Sequence, residues 1–157
     1  MAAQLQLPDF GLKLRSHGTG EEVFDPCRKL WVALTPEENV RQHFLNYLVH
    51  ERQCPLGLVR TEHEIKLNGM SKRADIVVHD EHGQPLALVE CKAPEVRIDQ
   101  AAFDQAVRYN LVFKVHWLIL TNGLKHYCYH LDPGTGEVKN RSLIPTWTDM
   151  RAANGRV

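Results

Sequence analysis

A chain of 157 residues, 43% hydrophobic and 24% charged, is large enough to bury a core and too apolar to stay disordered; a single domain over 1–157 is expected. Nineteen basic residues balance nineteen acidic ones, which argues against a tight, purely electrostatic grip on nucleic acid but leaves room for a local basic patch. The start, "MAAQLQLPDF", has neither a basic segment nor an apolar stretch, and no run reaches spanning length; no membrane association and a cytoplasmic location are expected.

Residues 1 to 34 read as irregular, with turn signals at "SHGTGEE" and "FDPC" and one short strand in "KLWVAL". "TPEENVRQHFLNYLVHER" follows as a helix. Thr35 suits its N-cap, Pro36 its first position, and Val40, Phe44, Tyr47 and Leu48 recur on one face. Pro55 stops it. "LVRTEHEIKL" and "SKRADIVVH" then flank Asn68-Gly69, the pair best suited to a two-residue hairpin turn. "DEHGQP" joins the second strand to a third, "LALVECKA". "DQAAFDQAVRYNLV" is predicted helical and "VHWLIL" is predicted to be a fully apolar central strand, making a strand–helix–strand unit with a parallel pair. "KHYCYHL" is a last strand, before a loose tail containing Trp147. The predicted class is α/β (α+β), with core order αβββαβ and a mixed central sheet flanked by helices. The core spans about 23–131, with 1–22 and 132–157 peripheral. Cys27, Cys54, Cys91 and Cys128 are widely spaced and read as reduced packing residues, not zinc ligands.

The predicted hairpin strands carry charges that a buried sheet does not ordinarily tolerate. Side chains alternate along a strand, so Glu90 and Lys92 share a face. If Asp80 and Pro85 close the preceding loop, Asp75 falls directly opposite Glu90, with Cβ atoms about 5 Å apart. Paired carboxylates repel, and a hard divalent cation such as Mg²⁺ relieves that repulsion through oxygen ligands. Lys92 would then lie beside a metal-bound water. The plainer alternative is salt bridging of Asp75 and Glu90 to Arg73 and Lys92 at a solvated strand end. Gln105 and Tyr109, one helical turn apart, share a face of the helix next to the strand bearing Glu90.

Asp75, then Glu90-Cys91-Lys92, then Gln105-x-x-x-Tyr109 resembles the PD-(D/E)xK nuclease superfamily. Within it, "FDPCRKLWVALTPEENVRQ", "KRADIVV" and "ALVECKAP" are similar to the N-terminal nuclease domain of type I restriction enzyme R subunits, in a stand-alone branch. The resemblance runs from Val23 to Leu131. It implies a restriction-endonuclease-like core and Mg²⁺-dependent cleavage of DNA, with Mn²⁺ able to substitute. Asp75 and Glu90 would be the metal ligands, the Cys91 carbonyl a third, and Lys92 the water-positioning base. Gln105 and Tyr109 would support the site. The proline of the "PD" element is Ala74 here, and the chain contains no GxxxxGK[ST] phosphate loop, so translocation-coupled cleavage is not implied.

Glu38 can be read two ways, as the partner in a T-x-x-E capping box or as an acid reaching the metal site from the first helix. The Asn-Gly turn sets Glu62 across from Asp75, where it could widen the metal site, although a solvated edge-strand charge is the plainer reading. Lys72, Arg73 and Arg108 are candidate phosphate contacts. Neutrality suits a protein that needs a homodimer or a separate partner subunit to hold DNA. A catalytically silent DNA-binding or protein-interaction module is the alternative. A small phosphorylated substrate is disfavoured by the lack of a glycine-rich phosphate cradle.

Overall fold

A computed structural model describes residues 4–153 of the chain. Its order is β1 (Leu14–His17), β2 (Gly20–Asp25), β3 (Leu30–Ala33), α1 (Pro36–His50), β4 (Val59–Leu67), β5 (Met70–His79), β6 (Pro85–Cys91), α2 (Gln100–Val112), β7 (Trp117–Thr121), β8 (His126–Leu131), β9 (Val138–Arg141) and α3 (Trp147–Ala153). Strands β4 to β9 form one sheet in sequential order. β6 and β7 pair in parallel across the α2 crossover, and every other neighbour pair is antiparallel. The expected mixed sheet and αβββαβ core are both present, as α1-β4-β5-β6-α2-β7.

Two expectations are corrected. The segment before α1 is not irregular: β1, β2 and β3 build a separate three-stranded antiparallel sheet. Its strands are short, and β1 is exposed throughout, so they carry little of the apolar alternation that marks a strand. The tail is not loose either. It supplies β9 and α3, with Met150 fully buried and the Trp147 indole N–H donating to the His79 carbonyl at 2.9 Å.

The sheet separates two apolar layers. Phe44, Leu45 and Leu48 of α1 pack with Ile76, Val89, Ile119 and Met150 on one face. Ala106 of α2 packs with Leu118, Leu120 and Leu131 on the other. β7 is buried along its whole length, which accounts for its unbroken apolar run. Asn110, 1% exposed, donates its side-chain amide to the Trp117 carbonyl at 2.9 Å and so fixes α2 against β7. Cys54, Cys91 and Cys128 are buried and Cys27 partly so; burial pushes the Cys27, Cys54 and Cys128 thiols up to about 12, as suits packing residues. No helix among the described residues is long and apolar enough to cross a membrane.

Candidate active site

Two ladders set the positions of the acids. Between β4 and β5 the pairs run from Leu67↔Met70 at the Asn-Gly turn to Val59↔Val78. Between Thr61↔Ile76 and His63↔Ala74 the pairing is interrupted, and there Glu62 lies across from Asp75. Glu62 has φ of 48°, a left-handed conformation that a glutamate in a strand rarely adopts. Between β5 and β6 the last ladder pair is Ile76↔Val89, and just beyond it the Asp75 and Glu90 side chains interact. The loop end differs from expectation. A bulge between Val78 and His79 makes His79 the partner of Pro85, while Asp80 turns inward and accepts from the His82 and Gln84 amides at 2.8 and 2.9 Å.

One Asp75 oxygen accepts the Cys91 backbone N–H at 2.7 Å, and the other accepts from Arg41 at 2.9 Å. Asp75 thus bridges β6 and α1. Beside it, burial and then the Asp75 charge push the Glu90 carboxyl up to about 7, against the pull of Lys72 and Lys92. Lys72 Nζ lies 3.7 Å from Glu90 and 4.8 Å from the centre of the Tyr109 ring. Lys92 is exposed, its backbone N–H donating to the Thr121 carbonyl at 2.8 Å.

Lys72, Glu90, Lys92, Gln105 and Tyr109 line one cavity of about 200 Å³ between β5, β6 and α2. Of the two strand acids, only Glu90 meets the helical Gln-Tyr pair in this cavity. Asp75 and Glu38 belong instead to an acid cluster on the α1 side. Arg73 is exposed and donates to the Glu62 carbonyl at 3.0 Å; Arg108 is exposed on α2.

Glu38 resolves partly. The Thr35 hydroxyl accepts the Glu38 N–H at 3.0 Å, so Thr35 is the N-cap, but the Thr35 N–H goes to the Ala33 carbonyl and not to the Glu38 carboxylate. Glu38 is 6% exposed, and its carboxylate is bound by Arg28, Arg41 and the Gln42 amide, the last at 3.0 Å. Arg28 comes from the loop after β2, where it also holds the fully buried Asp25 at 2.7 Å. Asp25 in turn accepts the Thr61 hydroxyl at 2.6 Å, tying the small sheet to β4. Burial would raise the Asp25 pKa, but the Thr61 hydroxyl and the Arg28 backbone and side chain lower it.

Sequence reasoning missed Arg28, Arg41 and Gln42. Glu37 and Arg41 are one helical turn apart, a visible signal for a surface ion pair. Nothing local announced that Arg41 would reach Asp75.

The residues that could hold a divalent cation are Asp75 and Glu90, oxygen donors of the kind a hard cation takes. They are adjacent, and the Glu90 pKa is raised first by burial and then by the Asp75 charge, the second of which a cation would offset. Among the described residues no three His, Cys, Asp or Glu side chains are gathered closely enough to hold a metal by themselves. The set expected here is two carboxylates and a backbone carbonyl.

A mixed sheet with an αβββαβ core and a charged cleft at the β5–β6 boundary defines a nuclease-like, restriction-endonuclease-like fold. A family model described as the type I restriction enzyme R protein N terminus matches residues 36–145, and the chain belongs to that family. Among solved structures it is similar to a fragment assigned as an HsdR subunit of a type I restriction enzyme from Vibrio vulnificus YJ016. Identity is 21%, over 74% of this chain and 25% of that one, with a TM-score of 0.54. The chain thus spans about a quarter of that fragment's length. A second similar structure is a protein from Anabaena variabilis ATCC 29413 assigned as a DUF820 nuclease, with 13% identity over 88% of each chain and a TM-score of 0.47. No curated protein matches the chain.

Proposed function

We propose that the chain is a Mg²⁺-dependent endodeoxyribonuclease that hydrolyses DNA phosphodiester bonds. The observation that supports this best is the adjacency of the Asp75 and Glu90 side chains just beyond the Ile76↔Val89 pair, with Lys92 lining the same cavity as Glu90. Asp75, Glu90 and the Cys91 carbonyl would hold Mg²⁺ or Mn²⁺. A cation there supplies a water of lowered pKa and stabilises charge that builds up on a phosphate. Lys92 would position the attacking water, since it is exposed just past the end of β6 and lines the cavity with Glu90. Gln105 and Tyr109 close the cavity from α2 and would orient the phosphate. Lys72, Arg73 and Arg108 are the proposed backbone contacts on DNA. With no net charge on the chain, its hold on DNA would be weak and salt-sensitive, which favours a homodimer or a partner subunit.

One observation favours a second reading, a nuclease-fold module without catalysis: Asp75 is already paired with Arg41. Cleavage of supercoiled DNA in Mg²⁺, Mn²⁺ or EDTA, wild type beside Lys92→Ala, separates the two. Metal-dependent nicking lost in a folded, metal-binding Lys92→Ala supports the nuclease. A wild type that binds DNA but neither binds metal nor cleaves supports the module.

A further inference from the structure

We propose that Arg41 is the resident counter-ion of the site, and that a divalent cation binds by taking Asp75 away from it. This rests on the metal-site reading above and adds a competing residue to it.

Arg41 is 6% exposed, yet it is surrounded by four carboxylates. One terminal nitrogen donates to Glu38. The other donates to Glu37 at 3.1 Å and to Asp75 at 2.9 Å, and lies 3.2 Å from Glu62. That second nitrogen carries only two hydrogens. Glu37 and Asp75 use both, which leaves Glu62 an ion pair without a hydrogen bond. The Nε–H, meanwhile, is buried and donates to nothing within the described residues. The guanidinium is therefore overcommitted at one corner and idle at another. A fork in that state does not hold Asp75 with the two parallel bonds that make an arginine–carboxylate pair strong.

The acid cluster also holds more negative charge than Arg41 alone offsets. Glu38 draws on Arg28 as well, at 3.1 Å, and Glu90 lies just beyond Asp75. A divalent ion between Asp75 and Glu90 would supply the missing positive charge. It would also compete with Arg41 for the same Asp75 oxygen. Release of Asp75 would leave Arg41 bound to Glu37, Glu38 and Glu62, so it need not leave the cluster. Before metal arrives, the same contact offsets the repulsion between Asp75 and its acidic neighbour. Arg41 thus competes with the cation for Asp75 and so sets metal affinity.

Mn²⁺ binding, measured by electron paramagnetic resonance and calorimetry, tests this without reference to cleavage. Wild type is compared with Arg41→Met, which keeps length but removes the charge, and with Arg41→Lys, which keeps the charge without the fork. Arg41→Met should bind Mn²⁺ at least tenfold more tightly, with Arg41→Lys near wild type. Unchanged or weaker binding by a folded Arg41→Met overturns the competition while leaving the metal site standing. Failure of wild type and Arg41→Met alike to bind Mn²⁺ overturns the metal-site reading itself. Because a buried acid cluster without its arginine can fail to fold, a second measurement uses wild type alone. The Arg41 Nε–H resonance, assigned by its loss in Arg41→Lys, is followed during a Mg²⁺ titration. It should shift with the same midpoint as metal binding; a stationary resonance while metal binds overturns the proposal.

Discussion

Glu90 lies beside Asp75 across the β5–β6 boundary, and the neighbouring charge reinforces what burial does to its carboxyl, whose pKa rises to about 7. An ordinary glutamate titrates near 4.5. Between those values the folded, metal-free chain keeps a proton that the unfolded chain has lost. Its stability therefore falls as pH rises from about 4.5 to about 7 and then levels off; below that window both states are protonated and no penalty is present. A tenfold difference in proton affinity between the two states is worth about 1.4 kcal/mol, so the effect reaches a few kcal/mol at most. Glu90→Gln should flatten this part of the profile and be the more stable protein at pH 8. Urea unfolding in EDTA across the range checks it; a wild-type stability that climbs through the window would reject the assignment.

Asp75→Asn tests the other member of the pair. Asparagine retains an oxygen for the Cys91 N–H but cannot pair with the Arg41 charge. Losing a charge-assisted bond costs roughly 1.5–3 kcal/mol, and relief of repulsion on Glu90 offsets part of it. The metal-free variant should be less stable than wild type by about 1 kcal/mol. Mn²⁺ affinity should drop at least tenfold, and the Glu90 carboxyl should titrate lower by carbon NMR. A gain in stability would mean that repulsion between the acids outweighs the Arg41 contact.

Thr35 starts the helix that carries Glu37, Glu38, Arg41 and Gln42. Thr35→Ala should cost about 1 kcal/mol in urea unfolding, with Thr35→Ser close to wild type. A loss much larger than that would mean that the cap acts through the acid cluster as well as through the helix end.

The C-terminal helix makes a separate claim on stability. Met150 is fully buried against the α1 layer, so Met150→Ala should cost about 2–5 kcal/mol. Trp147→Phe removes the bond to the His79 carbonyl and should cost about 1 kcal/mol. Thermal denaturation of both variants checks whether α3 is an integral part of the fold; unchanged midpoints would make it an ornament.

The core of the fold was legible where a local signal had only one structural solution. Asn68-Gly69 set the β4–β5 register, and the placement of Asp75 opposite Glu90 came from the loop that follows. That register was right although the predicted loop closure was not, because the bulge at Val78 and His79 absorbs the difference at the far end of the ladder. The spacing of Gln105 and Tyr109 placed both on the cleft for the same kind of reason: one helical turn separates them. What escaped notice depends on contacts distant in sequence. Arg41 and Asp75 are 34 positions apart, and no periodicity links them. β1 is exposed and only 4 residues long, and α3 only 7, too short for a pattern to stand out.

The two acids belong to one meander, β5 and β6, whereas their positive partner arrives on a helix from earlier in the chain. Contacts close in sequence tend to form first during folding, since they close the shortest loops. Asp75 and Glu90 would then meet before Arg41 docks, and their repulsion would be felt in the rate-limiting step while its relief comes after. Refolding of the metal-free chain should accordingly be faster at pH 5 than at pH 8, and Glu90→Gln should remove most of that difference. A stopped-flow series would show whether the chemistry of this site also sets the speed at which the protein is made.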